Sequence, residues 1–230
     1  MGQADIFLRV VFLAMGLLFA GVFLLFSSPS NAEQQIDISR LKNAADLGEV
    51  DALVGLGGLY LNGKIVPKNP EKAAQLFLKA ARKGDVEAMQ IVAGLYSDGT
   101  GVEKDLNEAF VWMTMAAEYG SSFAQVMAGK YNFWGIGDIP PDKEEAVRWW
   151  KMAAGNGEHM AQSMLSACYF YGDGVERDIE EAYFWALAAS EKNDPVRQEF
   201  RGFVEEQLTK NQKENVIARY IEWSAKKEHK

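Results

Sequence analysis

Two pairs of adjacent glutamates have the residue type most used in acid–base catalysis: Glu144 with Glu145, and Glu180 with Glu181. Paired carboxylates can act as general acid and general base when their surroundings separate the two pKa values. Both pairs, however, follow an aspartate that is typical of a helix N-cap, and they recur in phase. Capping and the helix dipole therefore explain them, and they predict helix starts rather than a catalytic centre.

The cysteine and the histidines are too few and too scattered to predict a nucleophilic or zinc site. Cys168 is the only cysteine, so no intramolecular disulfide is possible. It occupies the place held by Leu59 and Leu95 in related segments, which predicts a small buried hydrophobe. His159 and His229 lie near a helix start and in the tail. A zinc site or a hydrolytic triad needs several convergent groups, so we predict no catalytic and no metal-binding residues.

Residues 58–64 resemble a phosphate-binding loop but lack its context. The segment matches the P-loop pattern except at the last position, where Ile65 replaces the serine or threonine that must hold magnesium. A predicted helix, not a strand, precedes it. The Gly-x-Gly pairs that begin at Gly99 and Gly172 are interpreted as turns for the same reason. We predict no nucleotide and no other cofactor.

These weak signals all fall inside a unit that recurs four times, which is the strongest pattern in the chain. Its first alanine stands at Ala52, Ala88, Ala124 and Ala161, in steps of 36, 36 and 37 residues. A glycine follows eleven residues later, at Gly63, Gly99, Gly135 and Gly172. The unit closes with Gly84, Gly120, Gly157 and, in the last copy, Asn193.

Each unit predicts two helices. In the second copy, apolar residues from Ala88 to Tyr96 recur at helical spacing and share one face. The second helix begins with a predicted capping box, such as Asp105 with Glu108, and buries a stripe of alanines around Trp112. One hairpin cannot bury both of its apolar faces, so the units must stack. The sequence therefore predicts an all-α fold, a right-handed solenoid of stacked helical hairpins with capping helices at both ends.

The repeated unit resembles the Sel-one-like repeat (SLR) family, relatives of the tetratricopeptide repeats. The matching signature is Ala-x3-Leu/Val-Gly/Ala-x2-Tyr-x2-Gly-x-Gly-Val, followed by Asp, Ala, Trp and Ala-Ala, over residues 41–223. Ile65 replaces the second glycine in the first copy. Asn132 replaces the tyrosine in the third, which also has one extra residue before Asp142. We expect these departures to alter loops rather than the fold.

The predicted organisation has four parts. Residues 1–32 form a leader, in which Arg9 precedes an apolar run over residues 10–26 and small residues follow at Ser30 and Ala32. The leader is either a cleaved signal peptide or an uncleaved membrane anchor, and Arg9 favours repeats outside the cytoplasm. Residues 33–51 form a half-repeat cap, and residues 194–230 form capping helices and a tail. Between them lie the repeats, at residues 52–87, 88–123, 124–160 and 161–193.

The resemblance implies a row of ligand-facing positions, because the first helix of each tetratricopeptide-like hairpin lines the concave face. The row is Val54, Gly58, Leu61, Asn62; Gln90, Gly94, Ser97, Asp98; Val126, Lys130, Phe133, Trp134; and Ser163, Ala167, Phe170, Tyr171. The partner-binding residues predicted from it are Gln90, Lys130, Phe133, Trp134, Phe170 and Tyr171. All four aromatics belong to repeats three and four. They are either anchors for an extended peptide or rings packed against neighbouring helices.

Charge restricts the class of partner. The 230-residue chain has a net charge of −8 and a pI near 5.0, which argues against nucleic acid. The resemblance implies a non-enzymatic scaffold, here in the cell envelope or secreted, that binds a protein or peptide. One alternative is the cysteine-rich group described as β-lactamases or penicillin-binding proteins, but that group has paired cysteines in each repeat. The other alternative is binding of cell-wall glycan by the aromatic end.

Overall fold

The computed structural model describes residues 31–190 and 194–228, which form eleven helices and no strand. In chain order they are α1 (Asn31–Asp46), α2 (Val50–Asn62), α3 (Pro70–Arg82), α4 (Val86–Asp98), α5 (Leu106–Glu118), α6 (Ser122–Trp134), α7 (Lys143–Gly155), α8 (His159–Tyr171), α9 (Ile179–Ala189), α10 (Pro195–Glu205) and α11 (Lys210–Glu228). The all-α prediction is confirmed. The apolar run of the leader and Asn193 lie outside the described residues.

Helices α2 to α9 form four hairpins, and each hairpin packs on the next through its second helix. Helix α1 covers α2, while α10 and α11 both pack on α9. These terminal helices cover the apolar surface that an open stack would leave at each end. Within the described part of the chain, no helix combines the length and apolar character needed to cross a bilayer.

The glycine after each first helix ends that helix. Gly63, Gly99 and Gly172 adopt the left-handed conformation, and each donates its N–H to a carbonyl in the last helical turn. Gly135 departs, with φ 76° and ψ 163°, and the chain then makes a tight turn closed by hydrogen bonds between Ile136 and Ile139. The extra residue of the third repeat is therefore absorbed in this loop, as expected.

The predicted capping boxes form only in part. The Asp105 side chain accepts N–H donors from Asn107 and Glu108, as an N-cap should. The Glu108 carboxylate accepts the indole N–H of Trp112 at 3.1 Å. Glu145 likewise contacts Arg148. The aspartates act as N-caps. The two glutamates instead accept hydrogen bonds from the side chains of Trp112 and Arg148, about one turn further along each helix.

In repeats one and three a glycine of the first helix faces an aromatic ring of the second. A Cβ on Gly57 would lie 3.0 Å from the ring of Phe77, and one on Gly129 would overlap the indole of Trp150. Trp150 is fully buried, and its indole N–H donates to the carbonyl of Val126 at 3.2 Å. Because interiors are close-packed, the missing side chain at Gly129 provides the space for the ring.

The second glycine of the loop fixes how adjacent repeats approach. A Cβ on Gly101 would overlap the carbonyl oxygen of Pro70, at the start of α3 in the preceding repeat. Gly174 contacts Lys143 of α7 in the same way. In the first repeat this position is Ile65, whose side chain is exposed. The glycine of the signature is therefore required where the loop lies against a preceding second helix.

Candidate functional site

All four candidate acid–base glutamates lie at helix starts, and three of them contact other side chains. Glu181 forms an ion pair with Arg219 of α11 at 2.8 Å. Glu180 accepts a hydrogen bond from Gln212 at 2.9 Å. These contacts fasten the terminal helix α11 to α9. Glu144 is exposed at the first turn of α7.

Cys168 is buried on α8, as its sequence position predicts. Burial raises the pKa of its thiol to about 12, with a further upward contribution from the Asp173 carboxylate that the Lys143 ammonium partly opposes. A reactive cysteine needs a lowered pKa and access to solvent. This thiol has neither, and it packs in the hydrophobic core. His159 is the first residue of the same helix. The described residues contain no group of three or more potential metal ligands.

Two aromatics of the predicted row are packed inside the solenoid. Phe133 is half-buried, with its ring centroid 5.3 Å from that of Trp150. Phe170 is buried, and its ring lies 5.2 Å from Phe203 and 6.0 Å from Phe200 of α10. For these two residues the geometry is that of the packing interpretation.

The other two aromatics of the row are exposed. Trp134 is 56% exposed and Tyr171 is 64% exposed, at equivalent positions at the end of α6 and α8. Each lies edge-on to the packed phenylalanine before it, with centroids 4.9 Å apart for Trp134 and 5.0 Å for Tyr171. The packed ring supports the exposed one, so both exposed rings are held in place and available to a partner.

The two polar members of the predicted set are half-buried. The Gln90 amide donates to the carbonyl of Val86 on its own helix, α4, at 3.2 Å. Lys130 lies on α6, one turn before Trp134. The six predicted residues therefore do not form one cluster. They divide into Lys130 and two rings on repeat three, two rings on repeat four, and Gln90 on repeat two.

Two further exposed residues share the outward face with the exposed rings. Phe123 is 47% exposed near the start of α6, and Met160 is 46% exposed near the start of α8. Each precedes its exposed ring by eleven residues. Eleven residues are about three helical turns, so both ends of the helix point the same way. This pair was not predicted from the sequence, although its eleven-residue spacing from the exposed rings is visible there.

The repeat pattern matches the Sel1 repeat model in four segments: residues 50–85, 86–121, 122–158 and 159–194. The chain belongs to the Sel1 repeat family. Each matched segment begins two residues before the unit predicted from sequence. Sel1 repeats generally mediate protein–protein interactions and are typically not enzymes.

Two solved Sel1-type structures are similar. A protective antigen of uropathogenic Escherichia coli with an SLR fold has a TM-score of 0.68 and 30% identity, over 83% of this chain and 41% of the antigen. A Sel1 repeat protein from Oxalobacter formigenes has a TM-score of 0.64 and 32% identity, over 78% of this chain and 51% of that one. This chain thus spans about half the length of each. No curated protein matches it in sequence.

An open depression of about 640 Å³ lies beside the inserted loop of repeat three and is bordered by Asn132, Lys143 and Gly174. In the other repeats the signature tyrosine accepts the N–H of the N-cap residue through its carbonyl, and Asn132 keeps this bond with Asp142 at 2.6 Å. Lys143 is held by an ion pair with Asp173 at 2.5 Å.

Proposed function

We propose that this Sel1 repeat protein is a non-enzymatic scaffold of the cell envelope that binds a protein or peptide on the outward face of its first helices. The resemblance to tetratricopeptide-like repeats implies that this is the concave face. The binding end is that of repeats three and four, where Trp134 and Tyr171 remain exposed. Large aromatic anchors with few rotatable bonds are typical of binding hot spots. The placement outside the cytoplasm is supported by the apolar run over residues 10–26 that follows Arg9.

A single observation carries this proposal: two exposed rings occupy equivalent positions one repeat apart, each supported by a packed ring. A ring that serves only the core gains most when it is buried. Two aromatics left half exposed at the same place in successive repeats instead form a regular binding surface.

Site-specific photo-crosslinking in the native host tests the surface. A photoreactive amino acid is placed at Trp134 or Tyr171, and at Val111 as a matched control on the second-helix face, where Val111 is 46% exposed. We expect a discrete protein adduct from positions 134 and 171 and none from 111. Equal labelling at all three positions, or adducts from 111 alone, would contradict the proposed face.

Two further measurements test the class and the location. The purified full-length chain should not hydrolyse nitrocefin, and turnover above the buffer rate would contradict a non-enzymatic role. Protease added to spheroplasts should digest the repeats while a cytoplasmic marker stays intact. Protection of the repeats together with that marker would contradict the envelope location.

A further inference from the structure

The outward faces of the first helices change character along the solenoid. On α4 the exposed positions at the two ends are Glu87 and Asp98, with the exposed Gly94 between them. On α6 the same positions are Phe123 and Trp134, and on α8 they are Met160 and Tyr171. Equivalent positions therefore change from acidic to apolar between repeats two and three.

The four apolar side chains define a patch of the size that marks interaction sites. We call Phe123, Trp134, Met160 and Tyr171 the apolar patch. Each is between 46% and 64% exposed. Aromatic side chains have about 150–250 Å² of surface each, so roughly 300–500 Å² of apolar surface is open to water. Patches of this size on soluble proteins are often functional.

The spacing of the patch fits a docked helix. The two exposed side chains on each helix are eleven residues apart, which is about 16 Å along the axis of α6 or α8. An amphipathic helix places apolar residues at i, i+3, i+4, i+7 and i+11 over the same distance. A helix that lies parallel to α6 and α8, the first helices of adjacent repeats, therefore has its apolar stripe matched in length to both.

The charges beside the patch bear on the charge of the partner: α4 has two exposed carboxylates, and α6 has the half-buried Lys130. Glu87 and Asp98 are exposed at the two ends of α4, on the side of α6 away from α8. Gly94 between them has no atom within 4 Å of a would-be Cβ, so nothing projects to block a long side chain. Lysine or arginine on the flank of a docked helix can reach these carboxylates, and acidic side chains there would be repelled.

We infer that the apolar patch is the docking site of a basic amphipathic helix, with its apolar stripe on α6 and α8 and its lysine or arginine flank toward Glu87 and Asp98. This inference rests on the proposed function and names the chemistry of the partner. Charge complementarity provides specificity and steering, while the rings provide most of the affinity.

The test uses the full-length chain and a fluorescein-labelled model helix of about 14 residues, four turns, with leucine at the stripe positions and lysine on one flank. Two comparison peptides carry glutamate in place of lysine, or the same residues in scrambled order. Fluorescence anisotropy should show binding of the lysine peptide, weaker binding of the scrambled peptide and weakest binding of the glutamate peptide. Equal affinities for the three peptides would overturn the inference.

Protein variants locate the site. The double substitution Trp134→Ala with Tyr171→Ala should lower the affinity for the lysine peptide about tenfold or more, whereas Val111→Ala should leave it unchanged. Glu87→Lys with Asp98→Lys should weaken the lysine peptide by about fivefold at low salt and strengthen the glutamate peptide. Glu199→Lys with Glu206→Lys, two exposed positions in α10 and directly after it, controls for net charge. Helical circular dichroism checks that every variant folds.

The outcomes separate this inference from the proposed function. If crosslinks to a native partner form at positions 134 and 171 but the lysine peptide does not bind, the surface stands and the inferred partner chemistry is wrong. Loss of peptide binding in the α10 control as large as in the α4 variant would also overturn the inferred flank. The inference is supported if binding requires the ordered leucine stripe and responds as expected to charge reversal in the peptide and on α4.

Discussion

Repeats two and three form the same helical hairpin but differ in which side of the first helix has a glycine and in which residues face solvent. In α4 the glycine, Gly94, faces solvent, while in α6 the glycine, Gly129, faces inward against Trp150. The exposed ends of α4 are acidic, and those of α6 are Phe123 and Trp134. The repeat residues therefore determine the hairpin, whereas the outward residues differ between repeats and form different surfaces.

The residues inside the hairpins also vary between repeats, but close packing restricts this variation. At equivalent inward positions repeats one to three have Gly57 and Phe77, Ala93 and Met113, and Gly129 and Trp150. In these three repeats a smaller residue on the first helix goes with a larger one on the second, whereas repeat four has two small residues there, Ser166 and Ala186. Close packing requires the combined volume to be kept, so inward changes are coupled in pairs and outward changes are not.

The largest expected effect comes from removing the inward ring of repeat three. Trp150→Ala leaves a cavity beside Gly129 and should lower the free energy of unfolding by about 3–5 kcal/mol. Met113→Ala in repeat two should cost about 2–4 kcal/mol, and Trp134→Ala, which removes an exposed ring, less than about 1 kcal/mol. Urea denaturation measures all three, and a cost for Trp134→Ala equal to that of Trp150→Ala would contradict the assignment of sides.

The second loop glycines of the two repeats should differ in a similar way. Gly101→Ala forces a left-handed residue and a collision with the backbone of Pro70, and should destabilise the protein by about 3 kcal/mol. At Gly137 a new Cβ would meet the end of the Asn107 side chain at 2.7 Å, which can move, so about 1–2 kcal/mol is expected. Thermal unfolding ranks the two. A larger loss of stability for Gly137→Ala than for Gly101→Ala would show that the close backbone contact does not explain the need for glycine at position 101.

The helix glycines should give opposite signs. Gly94→Ala places a methyl in open space and raises helix propensity, so it should stabilise the protein by about 0.5–1 kcal/mol. Gly129→Ala would overlap the Trp150 indole and should destabilise it by about 1–3 kcal/mol. Trp150→Phe combined with Gly129→Ala should recover part of that loss. Two changes of the same sign would contradict the inward and outward assignment of these glycines.

Most of the fold could be predicted from sequence because four copies report the same helix periods and the same turns. The burial of individual rings could not. Phe133 and Trp134 are adjacent and both belong to the predicted row, yet only Trp134 is exposed. Phe170 is buried because Phe200 and Phe203 of α10 cover it, and these lie outside the repeat pattern. A repeat signature describes contacts within its own unit and misses those made by a terminal helix.

The smallest expected effect concerns the position that is Leu95 in repeat two and Tyr131 in repeat three. Burial, with a smaller contribution from the Asp98 carboxylate, raises the pKa of Tyr131 from 10.0 to about 12. The folded protein thus holds the phenolic proton more tightly than the unfolded chain. The stability that depends on the neutral ring is complete below about pH 10 and is lost as the pH rises through about 12.

Tyr131→Phe should remove this loss, because phenylalanine does not titrate. The free energy of unfolding, measured in urea at steps between pH 9 and pH 12, should fall less steeply with pH in this variant than in the parent chain. Asp98→Asn should change the slope in the same direction by less, since it removes only the weaker of the two causes. A slope that is unchanged in Tyr131→Phe would contradict the raised pKa of this phenol.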